Sequence, residues 1–296
     1  MSLTNASTLD QVLQLMADGA RPVAGGSDLV VGARQGKAPL PAAVVAINRV
    51  AELNGLAETA DGLRLGALTS HAVIESNHLI ATRYSALADA SALVGSPSTR
   101  NVGTIGGNIM NGSPAMDTGA PLMVLGAQAE LQSVRGSRRL SMTDLWVGPG
   151  RTSAATDELC VAVHIPEPAP GSGSAYVRLE YRRAMEIAVV GAAAFVTLAS
   201  DGSVIAIAVA LTSVAPVILA INGLPVGGSI ADAAAAAQSL AASQATPISD
   251  LRASDQYRRH CIGVMARRAV EAACRRAAGE VIAIPVNRSL GIGAAS

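Results

Sequence analysis

Two short segments hold the residue types and spacings best suited to chemistry. The first is Ala24-Gly25-Gly26-Ser27-Asp28-Leu29. Its glycines allow positive φ, so successive N–H groups can face one concavity. Such a nest suits a diphosphate, and Ser27 adds a hydroxyl donor. The second is Thr104-Ile105-Gly106-Gly107-Asn108, where two glycines clear the way to the backbone between short hydrogen-bonding side chains. Asp117, nine residues beyond Asn108, offers a carboxylate to sugar hydroxyls. A Gly-Gly pair alone marks only a tight turn. Neither segment is G-x-G-x-x-G with an acid ~20 residues on, and no Gly-Lys-Ser/Thr ends a glycine run. Spacing alone therefore reaches a phosphate-bearing ligand and stops there.

Other chemistry is sparse. Cys160, Cys261 and Cys274 form no C-x-x-C pair. They read as reduced thiols of a cytoplasmic protein, not as ligands of an iron–sulfur cluster. His71, His78, His164 and His260 lack metal-ligand spacing, so each reads as an ordinary buried or surface histidine and no metal site is expected. Lys and Arg total 22 against 22 Asp and Glu, without a basic block, which argues against nucleic acid.

These segments need elements to hold them. The 296 residues suffice for about two domains. Thr8 and Gln11 resemble a capping box ahead of Leu9, Val12, Leu13 and Met16 at helical spacing. Short strands are expected at 22–24, 44–47, 63–68, 129–134 and 159–165. Helices are expected at 71–80 and 85–94, with a glycine-rich loop over 95–112. The Pro, Gly and Ser of 167–174 mark a boundary. Beyond it come strands at 175–181, 189–198 and 204–211, with Asp201-Gly202 as a hairpin turn, then helices at 230–243 and 254–278. The most apolar run, 188–199, is too short for the ~20 residues of a spanning helix, so no membrane span is expected. No secretory signal is seen at the polar N-terminus.

The order and separation of the two glycine segments resemble the medium, flavin-carrying subunits of molybdenum hydroxylases, the xanthine dehydrogenase family that includes carbon monoxide dehydrogenase flavoproteins. Residues 24–29 look like the family's first flavin loop. Val94-Gly95-Ser96-Pro97-Ser98-Thr99-Arg100-Asn101 runs into 104–108 as its second loop does. Further matches in order are Asp144-Leu145-Trp146-Val147-Gly148-Pro149-Gly150-Arg151-Thr152, the stretch from Glu158-Leu159-Cys160 to Ile165-Pro166, Arg182-Arg183-Ala184-Met185-Glu186-Ile187-Ala188, and Ser254-Asp255-Gln256-Tyr257-Arg258-Arg259.

The resemblance implies an α+β fold. A vanillyl-alcohol-oxidase-type FAD-binding domain would span 1–170, as two α/β subdomains of about 1–55 and 56–170. A C-terminal domain of a three-stranded sheet plus helices would span 171–296. It implies FAD contacts from Val23, Ala24, Gly25, Gly26, Ser27, Asp28 and Leu29, and from Asn101, Thr104, Ile105, Gly106, Gly107 and Asn108. Asp117, Leu159, Cys160 and Arg178 complete the set. At Arg178 the family often has Lys near the flavin, and Arg keeps the charge but not the geometry. Where Cys160 stands it often has Leu. With one Phe and one Trp, the chain provides poorly for an aromatic cover on the isoalloxazine. Val at Gly26 or Gly107 is expected to abolish FAD retention, and Asp117→Ala to weaken it more mildly.

The implied work is electron relay in the cytoplasm, with no catalytic acid or base on this chain. Electrons would arrive from iron–sulfur clusters on a small subunit and leave for an external acceptor. The molybdenum cofactor would lie on a large subunit, in a dimer of heterotrimers. The competing readings are a self-sufficient flavin oxidase or reductase of the same fold, which would need its own acid/base pocket, and an assembly module without flavin.

Overall fold

A computed structural model describes residues 2–36 and 38–292. The chain begins with a parallel sheet in which Ala43–Ala46 lies between Ser2–Asn5 and Arg21–Val23. Helix Leu9–Ala17 connects the outer two strands and buries Val12, Leu13 and Met16. Thr8 caps it, accepting the Gln11 N–H at 3.4 Å, but Gln11 Oε1 returns to the N–H of Ser7 and not of Thr8. The reciprocal half of the expected box is thus displaced by one residue.

An antiparallel sheet follows, in the order Leu56–Thr59, Gly62–Gly66, Leu159–Pro166, Gln128–Ser133, Gly136–Ser141. Its inner face packs on Ser85–Leu93, a helix buried almost all round. The expected helix over 71–80 is two helices, His71–Ser76 and His78–Arg83. Asn77 takes an extended conformation between them and caps the second through the Ile80 N–H at 3.1 Å. The region 95–112, expected as loop, holds helices Pro97–Val102 and Ile105–Asn111, capped by Ser96 and Thr104.

Strands Ser172–Leu179, Val190–Leu198 and Val204–Thr212 form the C-terminal antiparallel sheet, to which Leu219–Ala220 adds a two-residue fourth edge beyond the three expected. Two residues are too few to leave a periodic signal. One face, with Ala175, Val177, Ala192, Ala194 and Val196, packs on helices Ile230–Gln244 and Asp255–Ala277. The opposite face, with Tyr176, Ala193 and Ala210, joins the core of the antiparallel sheet and its helices. Burial on both faces accounts for the long apolar run and positive mean hydropathy. Among the described residues no helix is long and apolar enough to cross a membrane.

The two cores are also joined by buried charge. Asp89, wholly buried, meets Arg276 at 2.6 Å and accepts the N–H groups of Tyr176 at 3.2 Å and Val286 at 2.8 Å. Removing one member of such a pair strands the other in a dry interior. We expect Asp89→Ala to lower unfolding stability by about 3–5 kcal/mol in urea titration. A loss below about 1 kcal/mol would show that Arg276 reaches water without it.

Candidate functional site

Ligands of open α/β sheets collect at the carboxyl ends of the strands. Here Ala24 and Gly25 follow strand Arg21–Val23, and Asn48 lies just beyond Ala43–Ala46. Gly25 runs directly against the residues that lead into the second segment. A Cβ placed on it would lie 1.8 Å from the Val102 carbonyl oxygen. The first glycine segment therefore touches, backbone to backbone, residues 102 and 103 that lead into the second, about eighty positions away in the chain. Beside the contact is a cavity of about 370 Å³ lined by Ala24, Gly25, Asn48, Asn54, Leu68, Ser70, Asn101, Val102 and Thr104.

The segments differ in what they offer. Among the described residues no protein acceptor takes the N–H of Ala24, Gly25, Gly26 or Ser27. In the second segment the N–H groups are engaged. Ile105 donates to Thr69 O at 3.0 Å, Gly106 to Ala67 O at 2.9 Å, and Gly107 to its own cap, Thr104 Oγ1, at 3.2 Å. Of the four glycines only Gly26 has positive φ, at +68°. Gly106 is glycine for packing, since a Cβ there would come within 2.6 Å of Ala67 Cβ. Gly107 is helical and exposed with no positive φ, so Val there meets no backbone strain of the kind it would meet at Gly26.

Asp28 and Leu29 begin helix Leu29–Arg34, and Ile105 is fully buried below the cap. Asn108 Oδ1 accepts the Thr118 hydroxyl at 2.5 Å. Asp117 and Arg178 do not line the cavity but bond to each other at 2.7 Å. Tyr176 Oη donates to Asp117 at 2.8 Å, and Arg178 Nε donates to buried Glu180 at 2.8 Å. Burial pushes the Asp117 carboxyl upward against the pull of Arg178. Leu159 and Cys160 lie inside the antiparallel sheet, where burial lifts the thiol to about 12.

Asn48, Asn54, Leu68 and Ser70 also line the cavity and carry no sequence motif. For Asn48 a signal existed, because a polar residue just past a parallel strand is a standing candidate. Ser70 caps helix His71–Ser76 and forms a bridge with Thr104. The next residue, His71, donates its backbone N–H to Gly103 O at 3.1 Å, and its ring is 2 % exposed with Nδ1 unpartnered. Burial first, then Arg100 on helix Pro97–Val102, lowers its pKa from 6.5 to about 4, while Glu75 on its own helix neutralises Arg100. Between those values the unfolded chain binds a proton that the folded chain refuses, so stability falls as pH drops through that window. We expect the His71 share of this loss to reach about 2–3 kcal/mol at pH 4.5 relative to pH 7. Urea titrations of wild type and His71→Leu at both values check it, because the variant should lose that share.

Parallel-sheet and antiparallel-sheet lobes meeting at a glycine-walled cavity, with a third sheet domain behind, define an α+β cofactor-binding protein. Comparison with known proteins makes the class specific. Residues 1–168 match the family described as the FAD binding domain in molybdopterin dehydrogenase, and residues 175–273 match the CO dehydrogenase flavoprotein C-terminal domain. The chain belongs to this family of FAD-binding oxidoreductase subunits. It is 34 % identical to the carbon monoxide dehydrogenase medium chain of Afipia carboxidovorans, over 90 % of this chain and 93 % of that one. It is 31 % identical to the xanthine dehydrogenase FAD-binding subunit of Escherichia coli O157:H7, over 95 % of this chain and 98 % of that one. The solved carbon monoxide dehydrogenase of Hydrogenophaga pseudoflava, a form lacking the Mo-pyranopterin moiety, aligns with a TM-score of 0.88 at 29 % identity, covering 93 % of this chain and 98 % of its own.

Proposed function

We propose that this chain carries FAD in a cytoplasmic molybdenum hydroxylase and passes electrons from a partner's iron–sulfur clusters to an external acceptor. The carrying observation is the contact of Gly25 with Val102, which draws both glycine segments around one cavity. FAD, when bound, supplies exchange between one-electron and two-electron chemistry. The chain's own residues bind and orient it. The open N–H groups of 24–27 hold the diphosphate, with the Ser27 hydroxyl as an added donor. Asn101 and Thr104 form the opposite wall. Val23 and Leu29 anchor the ends of the first loop in strand and helix, while Ile105, Gly106 and Asn108 fix the second. Arg178, paired with both Asp117 and Glu180, would make its FAD contact from a charge-balanced cluster at the start of the C-terminal sheet.

The domain division falls near residue 170 in this reading. The partners are a large molybdenum-cofactor subunit and a small iron–sulfur subunit, paired as a dimer of heterotrimers. The medium-chain and FAD-subunit names of the relatives support that assignment. The cavity lining holds no carboxylate, imidazole, amine or thiol to serve as acid or base, which favours relay over substrate chemistry on this chain. Isolation from the native host tests the reading. Flavin absorption, one FAD per chain, and co-isolated molybdenum and iron–sulfur polypeptides are expected. A colourless preparation, or a lone chain that turns over an organic substrate, would refute it.

A further inference from the structure

The sequence marks His71 as an ordinary partly buried or surface histidine, yet it is buried without the hydrogen bond that burial demands. Nδ1 has no partner and no contact with solvent. An unmade bond in a protein interior is costly and calls for an explanation. The neighbouring geometry offers one. His71 Cδ2 lies 3.3 Å, and Ser27 Oγ 3.7 Å, from the point a Cβ on Gly103 would occupy. Both groups therefore border the space that a side chain at residue 103 would fill. A half-turn about the ring's χ2 torsion exchanges Nδ1 with Cδ2, bringing the unpartnered nitrogen to the edge that borders the same space as Ser27 Oγ. Among the described residues the Ser27 hydroxyl also has no protein partner.

We propose that His71 is a positioning residue of the FAD site, whose imidazole N–H donates to Ser27 Oγ and leaves the Ser27 hydroxyl proton directed at the cofactor's diphosphate. The inference rests on the FAD reading above. A hydroxyl that accepts one hydrogen bond becomes a better donor in the next, so the chain from imidazole to serine to phosphate is cooperative. The ring must be uncharged only in the sense that it keeps a single N–H for this bond, and its dry setting secures that. The glycine at 103 is then a requirement of the relay, since any side chain would separate its two members.

The test measures FAD release from the assembly as isolated from its host, for wild type, His71→Leu, His71→Gln, Ser27→Ala and the His71→Leu/Ser27→Ala double variant. We expect His71→Leu and Ser27→Ala each to speed release roughly tenfold. The double variant should be no faster than either single one. His71→Gln, which keeps an N–H donor, should stay near wild type. The melting temperature of the FAD-stripped His71→Leu assembly at neutral pH should not fall, because the variant removes an unsatisfied group. His71→Phe replaces His71→Leu if the latter does not accumulate. Multiplying effects in the double variant, or release unchanged in both apolar variants, would overturn the proposal while leaving the FAD reading intact. A wild-type assembly that never held FAD would overturn the reading itself.

Discussion

Gly25→Ala will give an assembly almost devoid of FAD, with less than about a tenth of the wild-type content by absorbance. The added methyl would sit 1.8 Å from Val102 O and 2.6 Å from its carbonyl carbon. Both neighbours are backbone, so no rotamer change relieves the contact. Even a tight separation of 3.0 Å requires the segments to part by more than about 1 Å. Misplacement on that scale is enough to ruin a site built from fixed groups. Gly107→Ala is the matched control. Its methyl would meet Thr104 Oγ1 at 3.0 Å on an exposed helical turn, so FAD content should remain within about twofold of wild type. Retention of FAD by Gly25→Ala would mean that the contact of the two segments is irrelevant to binding.

Arg178→Met is the second large effect, and it falls on stability. The guanidinium is fully buried between Asp117 and Glu180, themselves 7 % and 5 % exposed. Replacing it leaves both carboxylates in a dry interior, with only Arg288 still paired to Glu180. Loss of one partner from such a cluster costs about 3–5 kcal/mol. For a chain of this size that lowers Tm by roughly 10 °C. Arg178→Lys should fall between, because the charge survives but the fork that reaches two carboxylates does not. Arg178→Met/Asp117→Leu should recover part of the loss by removing one stranded charge. Thermal unfolding of the FAD-stripped proteins followed by circular dichroism decides. An Arg178→Met protein melting within about 2 °C of wild type would show that water reaches the cluster.

What could be read in advance follows from what leaves a local trace. Buried strands such as Leu159–Pro166 and Val190–Leu198 carry dense apolar runs, and the first glycine loop follows its strand as expected. Strands Leu56–Thr59 and Gly136–Ser141 escaped because they are sheet edges. Glu58, Arg138 and Arg139 face water there, and edges favour charge. The two helices within 95–112 did have signals. Ser96 before Pro97 is a cap followed by a proline in the first turn, and Thr104 is a second cap, but the glycines drew the reading toward a loop. Pairing of Asp117 with Arg178, 61 residues apart, had no local trace. Neither did the arrival of Asn54 at the cavity, which sheet topology alone decides.

The two-sided burial of the C-terminal sheet also governs how the chain must mature on the ribosome. Helices Ser85–Leu93 and Gly119–Val124 emerge before the strands that will cover them, and Asp89 emerges nearly two hundred residues before Arg276. Until those strands follow, the nascent chain bears a bare alanine- and leucine-lined flank, and its buried acid stays unpaired until residue 276 is made.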